Sequence, residues 1–447
     1  MKAAPKAAAL SQSELTARAA RALPETDPVL YALLDAEVRY QNDTLAMVAH
    51  ASLADPSVLA CGAAALSNVT AEGYPGDRYH PGCAWLDEVE SLAVDRAKAA
   101  FRARYANVQP HSCSSANLAV LFALLRPGDP VLGLDLDAGG HLTHGSPASV
   151  VGRYFTPVAY GVGPGGLIDY DQVRDLALRH RPKVLIAGAS AYPRTLDYAA
   201  FRAIADEAGA YLLADISHIA GLVAGGVHPS PIDHAHITTT STYKQLGGPR
   251  GGLILMGRDS ESRQDLVKLM QRAVFPRSQG TLNPAGVAAK ARALDLVARP
   301  EFAALARRIA ADAAALADAL AGNGHRVVTG GTDTHMVLLD LSGHGLTGAA
   351  AEQALESCGI LANRNRVPGD RLPARVTSGL RLGTNILAQR GLTPEDMHRC
   401  ADLVCRVLKA TKALPGTGFE VDPGVRAQVS AEVADLCAAF PISAYAG

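Results

Sequence analysis

Lys244 sits in TTTSTYKQLGGPRGG (238–252), at the end of a threonine-rich run and ahead of a glycine-rich turn. A lysine taken out of water has a lowered pKa and can form a Schiff base with a carbonyl. Alone it reads more readily as a surface lysine, since buried lysines are rare unless partnered or reactive. Asp215, 29 residues earlier, ends the apolar run of YLLADISHIAG, with His218 three residues on. Alone, Asp215 reads as a helix cap. Together, a lysine and a carboxylate at neighbouring strand ends meet two needs of pyridoxal 5'-phosphate (PLP): an amine for its aldehyde and an acid for its ring nitrogen. The third need is a phosphate cup. Ser112, Cys113 and Ser114 in QPHSCSSANLAVLFALL precede an apolar helix, whose first N–H groups suit an anion. The plain alternative is a serine N-cap. His141 in GGHLTHG offers a ring to cover a cofactor, and with His144 it lacks a third metal ligand nearby in sequence. YGVGPGG (160–166) matches GxGxxG formally, but Pro164 interrupts it and the next helix starts near Asp169. A dinucleotide site needs its third glycine to open the helix, so this reads as a turn.

These residues need a scaffold that brings strand ends together. Short apolar runs at 130–135, 183–189, 211–215, 236–240 and 252–256 alternate with helical patterns near 115–125, 169–180 and 198–208. That alternation predicts an α/β fold with a parallel sheet, where loops at the carboxyl ends of strands converge. Residues 85–105 predict an amphipathic helix, and Leu30, Leu33, Leu34 and Val38 share one face of another. Alanine-rich helices over 285–323 read as a connector. Beyond it, HRVVTG, HMVLLDL and GLRLGT predict strands of a smaller α/β unit that ends in helices at 394–410 and 427–440. The expected division is an N-terminal arm with helices over 1–50, loose over its first 25 residues. A large PLP-binding domain over 51–300 and a small C-terminal domain over 301–447 follow.

Composition narrows the classes. The chain of 447 residues carries a net charge of −1, without basic clusters interleaved with aromatics, which argues against nucleic acid as a partner. No apolar run approaches the roughly 18–20 residues that cross a bilayer, and no continuous apolar stretch marks a signal peptide. Seven cysteines without a CxxC pair read as reduced thiols rather than a disulfide frame or a zinc site. The expectation is a cytoplasmic enzyme with no membrane or nucleic-acid partner and no metal.

Read together, AEGYPGDRY, ANVQPHSCSSAN, GGHLTHGSP, AGASAYPR, ADISHIAGLVAGG, TTTSTYKQLGGPRGG and VTSGLRLGT closely resemble the serine hydroxymethyltransferase family. The resemblance runs nearly colinearly over about residues 40–410. It implies a fold-type I PLP enzyme, with a large mostly parallel-sheet domain and a smaller C-terminal α/β domain. It also implies a homodimer with shared active sites, a tetramer being possible. Carried over by motif, Lys244 would hold PLP, Asp215 would pair with its ring nitrogen, His141 would stack on the ring and His218 would sit by the ring oxygen. Ser112, Cys113 and Ser114 would meet the phosphate with Gly280 of the other subunit, and Ser190 would support the ring. Arg381 would clamp the substrate carboxylate. Glu72, also reaching across, would be the acid/base residue at the substrate hydroxyl. Tyr79, Leu142 and Asn365 match folate-pocket positions.

Several usual family residues differ here. His50 and Ala51 stand where Ser and Glu are usual, Thr70 and His80 where tyrosines are, Cys113 for glycine, Tyr243 for histidine, and FPRSQGT for FPGTQGG. Because the changes cluster around the substrate's hydroxyl and carboxylate and the phosphate, with His50 and His80 reshaping the substrate pocket, the sequence reading favours a specialised member. That member would cleave β-hydroxy-α-amino acids in the manner of a threonine aldolase or transaldolase and pass the glycyl unit to another aldehyde. The alternative is the folate-dependent reaction of serine with tetrahydrofolate; the second alternative is a catalytically silent PLP-fold binding protein.

Overall fold

The computed structural model describes residues 9–445. Its centre is a seven-stranded sheet of β1 (Tyr105–Asn107), β2 (Pro130–Leu134), β3 (Thr156–Tyr160), β4 (Val184–Gly188), β5 (Tyr211–Asp215), β6 (Ile237–Ser241) and β7 (Gly252–Met256). The spatial order is β1-β7-β6-β5-β4-β2-β3. Five strands run parallel, from β6 through β5, β4 and β2 to β3. The sheet is mostly parallel, as expected; the exception is β7, which pairs antiparallel with both β6 and β1. The reason is a short return. Only the turn carrying Lys244 separates β6 from β7, and a parallel crossover needs a dozen residues or more.

Strand alternation builds a core on each face. Leu132, Leu185, Ala187, Leu212, Ala214, Leu253 and Leu255 enter one apolar cluster, while Val131, Val184, Ile186, Leu213, Ile254 and Met256 enter the other. Both sides of each strand are therefore apolar, as a sheet covered on both faces requires. A second sheet holds β8 (Arg326–Val327), β9 (Met336–Asp340), β10 (Asn363–Asn365) and β11 (Gly379–Gly383), in the order β8-β9-β11-β10, with its own apolar cluster.

The N-terminal segment departs from expectation. Residues 1–8 lie outside the described residues, and Gln12–Thr26 forms helix α1 rather than a loose arm. Ser11 and Glu14 close a reciprocal capping box that starts it. Helix α2 (Pro28–Asp43) follows, and its Val29, Leu30, Leu33 and Leu34 are exposed. Helix α3 (Ala84–Phe101) stops short of the expected 105 because Arg102 turns left-handed at φ 54° and Tyr105 enters β1. Helices α4 (Cys113–Leu124), α5 (Tyr170–His180) and α6 (Tyr198–Ala208) flank the sheet. Helix α7 (Pro284–Val297) is buried along most of its length. Helix α8 (Pro300–Gly322) contributes Ala306 and Ile309 to the large core and Leu316 and Leu320 to the small one. Helices α9 (Met397–Lys409) and α10 (Pro423–Ala439) close the chain. The GxGxxG-like stretch is a turn in which Gly166 N–H donates to the Gly163 carbonyl at 2.9 Å, with α5 starting after Asp169. No helix among the described residues is long and apolar enough to cross a membrane.

Candidate active site

Loops at the carboxyl ends of β4, β5 and β6 and the start of α4 enclose one cavity. It is lined by Ser112, Cys113, Ser114, His141, His144, Ala189, Ser190, Asp215, Ser217, His218, Ser241, Tyr243, Lys244 and Arg250. Eight of the sixteen sequence-predicted residues are therefore on its wall: Ser112, Cys113, Ser114, His141, Ser190, Asp215, His218 and Lys244; Leu142 follows His141 in the chain but does not line the cavity.

Lys244 leaves β6 through a closed turn. Thr242 N–H donates to the Gly251 carbonyl, Gly248 N–H to the Thr242 carbonyl, and Gly247 N–H to the Lys244 carbonyl. Gly247 takes φ +59°, which suits glycine. The lysine is only 8% exposed. Burial lowers its pKa, Asp215 opposing. Tyr243 lines the same cavity, with the Arg250 guanidinium 4.1 Å over its ring and Lys244 Nζ 5.8 Å from the ring centroid.

Asp215 is buried and accepts four contacts. Asn117 Nδ2 donates to Oδ2 at 2.8 Å and His144 Nε2 lies 3.1 Å from the same oxygen. Ser217 N–H donates to Oδ1 at 3.0 Å and the Cys113 thiol lies 3.6 Å from it. Burial alone would raise its pKa. The His144 contact, the nearby imidazoles and Ser217 outweigh burial and hold the carboxyl well below the usual range. His144 Nδ1 accepts the His141 backbone N–H at 3.2 Å, so its proton belongs on Nε2, facing Asp215. Sequence reading found no third ligand for His141 and His144. The fold corrects this: their ligating atoms and that of Asp215 lie within 4.8 Å of one another. The contacts just described already engage His144 and Asp215 in hydrogen bonds.

His141 caps the 142–144 turn, with Nδ1 2.8 Å from Thr143 Oγ1, and burial lowers its pKa to about 4. The double glycine ahead of it is steric: a Cβ on Gly140 would lie 2.0 Å from the Leu134 carbonyl oxygen. His218 is buried and its Nδ1 has no hydrogen-bond partner. Its ring stacks on His335, centroids 6.1 Å apart. Burial first, then Lys244 and Arg381, push the His218 pKa far down.

Ser112 caps α4 through a capping box with Ser115. Ser114 is exposed towards the cavity, and Cys113 is buried with its thiol turned to Asp215 and Asn117.

Arg381, in β11, is buried, and three of its five N–H donors are engaged. Its Nε donates to Asn363 Oδ1 at 3.1 Å, Nη1 to the Ser190 carbonyl at 2.5 Å, and Nη2 to His50 Nδ1 at 3.1 Å. Burial lowers its pKa to about 10. Burial, with Arg381 and Lys244 nearby, lowers that of His50 to about 4, so His50 is a neutral acceptor. Asn365 lies in β10 beside Arg366, which ion-pairs with Asp137.

Four predicted residues fall elsewhere in the chain. Glu72 and His80 are half-exposed, 3.8 Å apart. A Cβ on Gly280 would sit 3.0 Å from Glu72 Oε1. Tyr79 is 73% exposed and packs edge-on against Phe275. This patch does not line the Lys244 cavity of the same chain. Sequence reading missed Asn117, His144 as a partner of Asp215, His335 and Asn363. For Asn117 a signal existed: it lies one helical turn past Cys113 on the same face.

The cavity suits PLP. Backbone N–H groups and hydroxyls line one end, a carboxylate kept ionised lies at another, an amine of lowered pKa stands between, and His218 Nδ1 lacks a partner. Fold and site define a fold-type I PLP-dependent enzyme. A family model described as serine hydroxymethyltransferase matches residues 23–404. Serine hydroxymethyltransferase of Synechococcus sp. (strain JA-3-3Ab) is 49% identical over 438 residues, 95% of this chain and 98% of that protein. Serine hydroxymethyltransferase of Zymomonas mobilis subsp. mobilis (strain ATCC 31821 / ZM4 / CP4) is 47% identical over 421 residues, 94% of this chain and 96% of that protein. This chain belongs to the serine hydroxymethyltransferase family, whose members use PLP and tetrahydrofolate. The comparisons overturn the threonine aldolase or transaldolase reading. Near half-identity over almost the whole chain to serine hydroxymethyltransferases outweighs a handful of changed pocket residues.

Proposed function

We propose that the protein moves the hydroxymethyl carbon of serine to tetrahydrofolate, leaving glycine. The observation that carries this reading is the buried Lys244–Asp215 pair in a cavity whose other end is a serine-capped helix N-terminus. Bound PLP would supply an electron sink for the carbanion left at the substrate's Cα.

The chain's own residues divide the remaining work. Lys244 is the amine that holds the cofactor, and burial keeps it reactive. Asp215, held ionised by Asn117, His144 and Ser217, keeps a proton on the cofactor's ring nitrogen. His141 would cover the ring, and His218, whose buried Nδ1 has no partner, would sit by the ring oxygen. The helix N-terminus, Ser112 and Ser114 hold the phosphate, with Ser190 at the ring. Arg381 receives the substrate carboxylate beside His50. Tyr79, Leu142 and Asn365 line the folate side.

The same proposal includes a homodimer in which Glu72, Tyr79, His80 and Gly280 complete the other subunit's cavity. Two observations support it: this patch is exposed and lies off its own chain's cavity, and the apolar face of α2 is uncovered in the single chain. The division into an arm (1–50), a large unit (51–300) and a small unit (301–447) belongs here too, supported by the two separate cores.

The test is glycine formation from serine with and without tetrahydrofolate, in wild type and Lys244→Ala. Folate-dependent turnover is expected, together with loss of both the lysine-linked visible absorbance and activity in the variant. Serine turnover indifferent to folate would refute the reaction. An unchanged spectrum in Lys244→Ala would refute the role of the lysine.

A further inference from the structure

A second buried lysine stands behind the cup. Lys290, in α7, is 3% exposed. Its Nζ donates to three main-chain carbonyls: Val108 at 2.6 Å, Pro110 at 2.9 Å and Gly252 at 3.1 Å. Three acceptors require three N–H donors, which only the ammonium form has. Burial pulls its pKa down towards 7, Glu90 opposing, while the carbonyls hold the proton. Val108 and Pro110 belong to the run that leads from β1 into Ser112, and Gly252 opens β7. Gly252 N–H also donates to the Pro110 carbonyl at 2.9 Å, and a Cβ there would lie 2.4 Å from the Ser112 carbonyl oxygen. The ammonium thus ties together two backbone segments, one carrying the α4 N-terminus and the other closing the turn that carries Lys244. His111, within the same run, has its pKa lowered by burial and then by the Lys290 charge.

We propose that Lys290 is a positioning residue for the phosphate cup: its three hydrogen bonds set where Ser112, Ser114 and the first amides of α4 meet the phosphate of PLP. The proposal rests on the reading of that helix N-terminus as the phosphate site. Lys290 does not line the cavity, so it acts through the backbone rather than by touching the cofactor.

The test compares wild type with Lys290→Met, which keeps the chain length and removes the donors. PLP is stripped and rebound, its Kd read from absorbance, and the bound phosphate's 31P shift recorded. The expected result is a Kd raised tenfold or more and a shifted phosphate resonance, with KM for serine at saturating PLP unchanged. Leu316→Ala, in the separate small core, controls for general destabilisation and should leave both readouts in place. Gly251→Ala tests the same contact without replacing the lysine, its new Cβ also coming 3.0 Å from Thr242 Oγ1. The added Cβ would lie 2.3 Å from Lys290 Cε and 2.8 Å from Nζ, at the far end of a flexible side chain that can move aside. It should weaken PLP binding in the same direction even where Lys290→Met does not fold. A Kd within twofold of wild type in either folded variant, with an unmoved phosphate resonance, overturns the proposal. A wild type that binds no PLP overturns the cup reading and this inference with it.

Discussion

The chemistry of Asp215 is set by who donates to it. Four donors converge on its two oxygens, and His144 cannot reverse its tautomer without losing the His141 N–H that Nδ1 accepts. Asp215→Asn therefore turns an amide N–H₂ towards at least one existing donor. The expected outcome is a stability loss of about 2 kcal/mol, from hydrogen bonds made to a charged group, and a fall in serine turnover of at least about tenfold. Denaturant melts and steady-state kinetics on the same preparation check it. A variant with wild-type turnover would show that the carboxylate charge is not used. The residue departures divide at this scale. His50 gives Arg381 a neutral acceptor, Cys113 leans on Asp215, and Tyr243 receives Arg250. None of the three removes a member of the Lys244–Asp215 set.

Two helices carry predictions of their own. The start of α4 depends on Ser112, whose hydroxyl accepts the Ser115 N–H. Ser112→Ala should cost about 1 kcal/mol as a lost cap and also weaken PLP binding, because the same hydroxyl faces the cavity; thermal melts of apo and holo protein separate the two effects. Helix α8 holds Asp312 at zero exposure with both carboxylate oxygens unpartnered. Burial raises its pKa to about 7, with Arg308 opposing and Asp396 and Glu395 adding to the rise. The folded chain therefore binds a proton that the unfolded chain releases near pH 3.8. The stability from keeping this acid neutral is whole below that pH and lost as pH rises through about 7. Asp312→Leu should thus stabilise more at pH 8 than at pH 5, the difference lying within about 1–4 kcal/mol. Equal gains at both pH values in urea melts would disprove it.

For the molecule as a whole, the question is where Glu72 works. It sits with His80 and Gly280 on a patch away from its own chain's Lys244. Glu72→Gln alone should lower turnover by about 10²–10⁴-fold, the range for an acid/base group. If sites are shared in a dimer, mixing Lys244→Ala with Glu72→Gln builds hybrids with one intact site of two. Random exchange then restores about a quarter of wild-type activity. No recovery after verified subunit exchange would place each site within one chain.

Much of this was legible along the chain. The strands at 211–215 and 252–256 and the helix at 198–208 are written in local period and caps, and so read correctly. The motifs around Lys244, Asp215 and His141 pointed to the cofactor class because each puts a reactive residue type in its own loop. The antiparallel β7 was not read, since strand direction depends on how a short turn folds back. The helical α1 was missed because it buries no residue and so has no core-facing apolar stripe to mark it, although its capping box was present in the sequence. The reaction was misjudged by giving weight to single changed residues over the pattern of the whole chain. By itself the sequence determined which groups could react, because amine, carboxylate and imidazole chemistry belongs to residue type. Only the tertiary structure decided their protonation and reach. Burial lowers Lys244, hydrogen bonds hold Asp215 ionised, and packing brings Asn117, His144 and Lys290 across long stretches of chain to where their donors count.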